Sequence, residues 1–310
     1  MFLKSMGSNY NSNLKGKFLI NFPTAVNEFE KILQKFPIKK ILYKTIFRGK
    51  GLEFDAYKTF EQNDDASVID WKASLRSNEI LVKKYVEERD LNIYFILDVS
   101  SSMLFGSGDK LKSEYAAELI AALGHLILGS GDRTGLIMFS EKIVKILYPS
   151  GGKNQFFLFT KFLSDVSLYG GGCDLNEAIE FALQHVKTSH NVFIIISDFI
   201  SANKRIERNL VLLGSKYETM AIILRDPMDE SLPKNSFQLA IQDPFSSNQM
   251  ILDTSIAYKR YRESVVYHKK MLSEILKKSR IDSLELTIDK PFAIPLVSFL
   301  KRRAMGKGRI

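Results

Sequence analysis

The chain has 310 residues, of which 45% are hydrophobic and 25% are charged, a mix that is typical of globular proteins and excludes wholesale disorder. Its single cysteine, Cys173, excludes an intramolecular disulfide and a four-cysteine zinc site. The net charge is +8 over residues 1–50, −8 over residues 51–258 and +9 over residues 259–310. An acidic centre suits a divalent cation, and basic ends suit nucleic acid, anionic lipid or an acidic protein surface.

The first part of the chain shows no pattern of a targeting or membrane segment. Residues 1–20 contain no continuous apolar run, so we predict a flexible basic arm rather than a signal peptide. The most apolar stretch, residues 119–128, is far shorter than the roughly 20 residues that span a membrane. We therefore expect a cytoplasmic protein without a transmembrane segment. We predict an N-terminal accessory segment over residues 21–89, and helical spacing of apolar residues predicts that it begins with a helix over residues 26–36.

Apolar strands alternate with helices from residue 90 onwards. Strands are predicted at residues 91–97, 134–139, 143–147, 192–196, 219–224 and 284–288. Helices are predicted at residues 111–128, 154–163, 175–186, 206–213 and 258–275. This alternation is typical of a parallel sheet that is covered by helices on both faces. We predict a doubly wound, mostly parallel, Rossmann-like α/β domain over residues 90–290, then a C-terminal helix and basic tail over residues 291–310.

Polar loops occur where such a sheet gathers its ligand sites, beyond the carboxyl ends of the strands. Asp98, Ser100 and Ser102 form a D-x-S-x-S motif after the first strand of the domain. Asp198 follows a later strand, and Cys173 lies in a glycine-rich loop. Hydroxyl and carboxylate oxygens are ligands that suit Mg²⁺ or Mn²⁺. These residues therefore predict a divalent-metal site whose open position accepts a carboxylate from a protein partner.

The D-x-S-x-S motif resembles the metal ion-dependent adhesion site of von Willebrand factor A domains. The resemblance implies that Ser100 and Ser102 bind the ion directly, while Asp98 and Asp198 hold the ion and its water in place. A threonine of the middle loop supplies a further ligand in that family, and Cys173 stands at this position here. Because a thiol is a poor ligand for magnesium, the site is either weakened, selective for another ion, or degenerate and metal-free.

A longer series of motifs resembles the prokaryotic family catalogued as domain of unknown function 58. Its elements here are Glu53-Phe54, Asn63-Asp64-Asp65, Ile69-Asp70-Trp71-Lys72, Ser74, Arg76, Glu87-Glu88-Arg89 and residues 98–103. Asn63, Ser67 and Leu75 stand where glycine, arginine and alanine are usual, which marks a divergent member. The resemblance covers roughly residues 45–300. It implies an adaptor that partners a MoxR-type AAA+ ATPase in the assembly or activation of other complexes.

The charged residues around Trp71 predict a packed polar cluster. The cluster comprises Asp64, Asp65, Asp70 and Arg76. A single tryptophan with flanking charges commonly anchors local packing, so we favour a structural role over a binding surface.

Two other classes of function compete with the adaptor. Catalysis is not indicated, because no histidine partner for Cys173 can be identified and no phosphate-binding G-x-x-x-x-G-K-[ST] sequence occurs. The alternative is a module for nucleic acid or a membrane surface, with a degenerate, metal-free site. It would use basic residues of the helix over residues 258–278 and of the tail over residues 301–309. We favour the adaptor, for which these basic residues form a solvated face.

Overall fold

The structure, a computed structural model, describes residues 19–34, 53–61, 69–77, 79–86, 91–186, 191–232, 238–242 and 249–304. Its helices are α1 (Phe22–Gln34), α2 (Trp71–Ser77), α3 (Lys112–Gly129), α4 (Gly152–Ser164), α5 (Leu175–His185), α6 (Glu207–Lys216), α7 (Pro227–Glu230), α8 (Thr254–Lys278) and α9 (Ala293–Ala304). Its strands are β1 (Glu53–Thr59), β2 (Leu81–Val86), β3 (Asn92–Asp98), β4 (Arg133–Phe139), β5 (Ile143–Ser150), β6 (Asn191–Ser197), β7 (Glu218–Arg225), β8 (Gln238–Gln242), β9 (Gln249–Asp253) and β10 (Asp282–Thr287). The chain divides into a small unit, Arg48–Asp90, and a large unit formed by Met1–Phe47 and Leu91–Ile310.

The small unit pairs β1 with β2 in an antiparallel sheet, and α2 precedes β2. Asp70 begins α2, because its Oδ1 accepts hydrogen bonds at 3.1 Å from the backbone N–H groups of Lys72 and Ala73. The side chains of Trp71 and Leu75 are 64% and 84% exposed. The prediction that Trp71 is a packed anchor is therefore wrong.

Asn63-Asp64-Asp65, Ser67 and Glu87-Glu88-Arg89 lie outside the described residues.

The large unit contains a six-stranded sheet in the order β10-β7-β6-β3-β4-β5. Neighbouring strands are parallel except at one edge, where β5 runs antiparallel to β4. The central strands β3 and β6 are almost entirely buried, as expected for apolar runs that are covered on both faces. The predicted doubly wound, mostly parallel sheet is confirmed.

Two separate hydrophobic clusters pack on the two faces of this sheet. Residues of β3 alternate between them, since Ile93, Phe95 and Leu97 join one cluster while Tyr94 and Ile96 join the other. The first cluster also contains side chains of α1, α3, α4 and α9, and the second contains side chains of α5, α6 and α8. Helices therefore cover both faces.

The first helix belongs to the large unit and not to the predicted accessory segment at residues 21–89. The buried ring of Phe29 packs against Phe292, with 6.2 Å between ring centroids. Helix α3 also holds the start of α1, because Glu114 accepts a hydrogen bond of 2.7 Å from the backbone N–H of Leu19. This packing could not be read from the helical periodicity of α1 alone, because that pattern does not say which surface its apolar face covers.

Within the described parts of the chain, none of the helices is long and apolar enough to cross a membrane.

Candidate functional site

The five predicted site residues come together at the carboxyl edge of the central strands. Asp98 ends β3 and Asp198 directly follows β6, so adjacent strands bring them to the same edge. Asp98, Ser100, Ser102 and Asp198 are all buried, and Cys173 is half-buried. The structure thus gathers two carboxylates, two hydroxyls and one thiol in a single cluster.

Asp98 is the centre of this hydrogen-bond network. Its Oδ1 accepts a hydrogen bond of 2.9 Å from the backbone N–H of Ser100. Its Oδ2 accepts one of 2.6 Å from the hydroxyl of Ser197. Burial, together with the nearby negative charge of Asp198, raises the pKa of Asp98. A cation in this cluster would favour the charged form of the Asp98 carboxyl.

The hydroxyls of Ser100 and Ser102 converge, with 3.1 Å between their Oγ atoms. Ser100 has extended backbone angles, and the chain then enters a short 3₁₀ turn, Ser101–Leu104. Magnesium binds oxygens at 2.0–2.1 Å in octahedral geometry, so two adjacent ligands of that ion are about 2.9 Å apart. The spacing of the two hydroxyls fits neighbouring corners of such an octahedron.

The glycine-rich loop is attached to the motif loop through backbone hydrogen bonds. Gly170 and Gly171 have φ angles of +123° and +85°, which glycine adopts without the steric cost that other residues incur. The backbone N–H of Gly170 donates to the carbonyl of Val99 at 2.7 Å. The backbone N–H of Ser101 donates to the carbonyl of Gly171 at 2.9 Å. These bonds hold the loop so that Cys173, two residues after Gly171, lies beside the cluster.

Cys173 contacts Asp98 and is poorly suited to bind magnesium. Its Sγ lies 3.4 Å from Asp98 Oδ2. Burial raises the pKa of the Cys173 thiol, and the negative charge of Asp98 raises it further. The thiol therefore keeps its proton and can donate it to the Asp98 carboxylate in a hydrogen bond.

Binding of a divalent ion at this edge of the sheet would require hydroxyl oxygens as well as carboxylate oxygens as ligands. In the described residues, no three histidine, cysteine, aspartate or glutamate side chains are grouped so that they could hold a metal ion. The donor set of Ser100, Ser102, Asp98 and Asp198 fits a hard cation such as Mg²⁺ or Mn²⁺. Cys173 does not fit as a ligand for it.

Lys112 is a member of this cluster that the sequence analysis missed. Its Nζ donates to Oδ2 of Asp198 at 2.7 Å and to Oδ2 of Asp229 at 3.0 Å. Burial alone would raise the pKa of Asp198, but the ammonium of Lys112 holds that pKa below its usual value. A lysine in the first turn of α3 opposes the helix dipole, which was the available signal for a special role.

Two further charged residues lie at the end of β7. Nη1 of Arg225 donates to the backbone carbonyl of Asp198 at 2.5 Å. Asp226 is fully buried, and its Oδ2 accepts a hydrogen bond of 2.7 Å from the backbone N–H of Ser107. Asp226 follows its strand as Asp198 does, so the same positional rule could have found it.

The predicted basic surface is partly neutralised by ion pairs. Three of its members have acidic partners: Lys269 with Glu230 and Glu285, Lys278 with Glu207, and Arg303 with Asp282 and Glu218. Lys307 and Arg309, from the basic tail, lie outside the described residues. These pairs reduce the charge that the surface offers to phosphate groups or anionic lipid.

The solved structures to which this chain is similar include two bacterial proteins. A hypothetical protein, BatB, from Bacteroides thetaiotaomicron is 16% identical, with a TM-score of 0.46 over 70% of this chain and 99% of that chain. An aerotolerance-related membrane protein from Bacteroides fragilis is 17% identical, with a TM-score of 0.45 over the same shares. At TM-scores below 0.5, these similarities carry no argument about fold or function.

Sequence comparison assigns the family. Proteins described as uncharacterized, Rv1480 from Mycobacterium tuberculosis and Mb1516 from Mycobacterium bovis, are each 23% identical over 262 residues, which cover 83% of this chain and 81% of theirs. The family described as "Protein of unknown function DUF58" matches residues 56–271, well over half of the chain. The chain therefore belongs to this DUF58 family.

Proposed function

We propose that this protein is a non-enzymatic interaction adaptor that recognises a protein partner through a divalent cation, Mg²⁺ or Mn²⁺, bound at the carboxyl edge of the large sheet. One observation carries the proposal: two buried serine hydroxyls lie 3.1 Å apart between two buried carboxylates. The two hydroxyls hydrogen-bond to each other, and the carboxylates accept hydrogen bonds from Ser197 and Lys112, so these oxygen atoms are held together in one place. A hard cation prefers hydroxyl and carboxylate oxygens as ligands.

Each residue has a distinct role in this proposal. Ser100 and Ser102 bind the ion directly, and Asp98 and Asp198 hold the ion and its water, as in the metal ion-dependent adhesion site that the motif resembles. Cys173 donates a hydrogen bond to Asp98 and supports its orientation, instead of serving as a ligand. The bound cation supplies a positive centre that can attract a carboxylate, and no reaction is proposed.

The partner contributes an acidic residue to the cation. Neutral hydroxyl ligands leave the ion with positive charge, which favours a carboxylate at its open position. The resemblance to the DUF58 family supports a MoxR-type AAA+ ATPase as this partner. The alternative, a basic surface for nucleic acid or membrane, receives less support because Lys269, Lys278 and Arg303 are already paired with carboxylates.

Metal binding is tested first, by calorimetric titration of the metal-free protein with Mn²⁺. We expect the wild type to bind one equivalent, and the double variant Ser100→Ala/Ser102→Ala to bind at least about tenfold more weakly, since it lacks both hydroxyl ligands. The matched control is Ser130→Ala/Ser164→Ala, which removes two exposed hydroxyls that bond only to their own helices. Equal affinities in all three proteins, or no binding by the wild type, would contradict the metal site.

The partner is tested with a purified MoxR-type ATPase from the same organism. We expect the wild type to retain the ATPase in a pull-down, and Asp98→Ala to lose it. Mg²⁺ is kept constant, because an ATPase needs Mg²⁺ for its own nucleotide and EDTA would confound the result. Equal retention by Asp98→Ala would place the contact elsewhere. Binding to DNA or anionic vesicles at low salt that survives in this variant would instead support the basic-surface alternative.

A further inference from the structure

Lys112 is a permanent cation inside the candidate site. Its side chain is 1% exposed, and its ammonium bridges Asp198 and Asp229. Burial of a lysine is costly, and its position in the first turn of α3 adds to that cost, because the positive end of the helix dipole lies there. The two carboxylate partners stabilise this charge, as does the ring of Phe105, whose centroid lies 5.8 Å from Lys112 Nζ.

The carboxylates that Lys112 holds are connected to the proposed cation ligands. The hydroxyl of Ser102 lowers the pKa of Asp198, the same carboxylate that Lys112 contacts through Oδ2. Ser102 in turn lies 3.1 Å from Ser100. The ammonium is therefore one carboxylate away from the two serine hydroxyls.

We propose that Lys112 is an internal cation that keeps this site assembled when no divalent ion is bound, and that its charge weakens the binding of that ion. This inference rests on the proposed function, since it concerns the same metal site. Lys112 is a positioning residue here: it acts through Asp198, and its own ammonium is too deeply buried to meet a partner protein.

The formal charges show how both effects arise. The ammonium of Lys112 offsets the negative charge of the Asp198 and Asp229 carboxylates, with which it forms ion pairs. Without Lys112 these two carboxylates would lose that positive charge, and a divalent ion beside Asp198 would replace it. The positive charge of Lys112 also repels an incoming divalent ion across a medium of low dielectric constant.

A purely structural role for the Lys112 ion pairs would have a different result. If Lys112 only held α3 to the sheet, its loss would lower the melting temperature by the same amount with and without metal. If Lys112 substitutes for an ion, its loss must be largely compensated by adding one. Dependence on metal therefore separates the two roles.

The experiment compares Lys112→Met with Lys110→Met. Lys110 lies two residues earlier and is 45% exposed, with an ion pair of 2.5 Å to Glu118, so it is a nearby lysine outside the site. Melting temperatures are measured in EDTA and in Mn²⁺, and Mn²⁺ affinity is measured by calorimetry. We expect Lys112→Met to melt well below the wild type in EDTA and to recover most of the difference in Mn²⁺. Its Mn²⁺ affinity should rise by about tenfold or more, because the competing charge is gone.

The outcomes distinguish this inference from the proposed function. Equal loss of melting temperature in EDTA and Mn²⁺, with unchanged Mn²⁺ affinity, would overturn the role of Lys112 while leaving the metal site intact. Binding of Mn²⁺ by Lys112→Met but not by the wild type would support the role of Lys112 and overturn metal-dependent recognition. Absence of binding in both proteins would overturn both.

A second variant covers the case in which Lys112→Met does not fold. Lys112→Met/Asp229→Asn removes one positive and one negative charge together, so the cluster keeps its net charge and leaves only Asp198 without its ammonium partner. We expect this protein to be stabilised by Mn²⁺ more than the wild type. Equal stabilisation of the two proteins would overturn the inference.

Discussion

Removing the hydroxyl of Ser197 should be among the most destabilising single-atom changes near the site. Ser197 ends β6 and is 1% exposed. Its Oγ donates to Asp98 Oδ2 at 2.6 Å and accepts a hydrogen bond of 2.9 Å from the backbone N–H of Phe199. Phe199 is itself held in a left-handed conformation, with a φ angle of 53°. Ser197→Ala would remove the shorter of two hydrogen bonds to Asp98 Oδ2, which also lies 3.4 Å from Cys173 Sγ, and would remove the partner of this N–H.

The cost follows from these two lost hydrogen bonds. A buried polar group that loses its partner costs about 1–3 kcal/mol, and a hydrogen bond to a carboxylate is at the stronger end of that range. Taking about 1.5 kcal/mol for each bond, Ser197→Ala should lower the free energy of unfolding by about 3 kcal/mol. Such a loss reduces the folding equilibrium constant by about 150-fold.

Urea unfolding in EDTA, followed by far-ultraviolet circular dichroism, measures this loss. Fluorescence is unsuitable, because the single tryptophan, Trp71, is largely exposed and lies in the small unit. The control is Ser164→Ala, whose hydroxyl donates at 2.6 Å to the carbonyl of Thr160 on an exposed part of α4, and which should change stability by less than about 0.5 kcal/mol. A loss below about 1 kcal/mol for Ser197→Ala would refute this account of the Asp98 network.

Three further changes test other parts of the structure. Phe159→Ala removes a fully buried ring that packs edge-on against Phe95, so it should cost about 3–5 kcal/mol in urea unfolding; a loss under 1.5 kcal/mol would contradict the assigned core. Burial lowers the pKa of His268, so the imidazole of the unfolded chain takes up a proton before that of the folded chain as the pH falls, and the wild type loses stability. His268→Gln should therefore lose less free energy of unfolding than the wild type between pH 7 and 5. Parallel profiles of stability against pH for the two proteins would argue against the lowered pKa. Trp71→Ala should change stability by less than about 0.5 kcal/mol, whereas a loss of 2 kcal/mol or more would restore the packed anchor that the sequence favoured.

The order of the elements and the position of the site were predictable from local patterns. Apolar runs such as residues 192–196, bounded by helices, indicate buried parallel strands because only such strands are apolar on both faces. The edge of the sheet where Asp98 and Asp198 meet follows from a general property of parallel sheets. Their separation of 100 positions in the chain did not prevent this prediction, because the rule depends on strand ends and not on sequence distance.

Exposure and packing partners were less predictable. Trp71 is the kind of large apolar residue that commonly anchors packing, but its side chain is exposed. The residue type and its charged neighbours do not say whether another element covers the side chain. Helix α1 has a regular apolar face, and tertiary contacts such as those with Phe292 and Glu114 assign it to the large unit.

The sequence by itself determined the fold class, the family and the set of hydroxyls and carboxylates at the sheet edge, because periodicity, motif order and strand ends are local properties of the chain. Only the tertiary structure decided how the charges of that site are paired and which groups hold its carboxylates. Lys112 reaches Asp198 across 86 positions and Ser197 reaches Asp98 across 99, and neither pair has a local signature. The charge of a buried carboxylate depends on the groups that packing brings within hydrogen-bond distance, and packing is a property of the whole sheet and its helices.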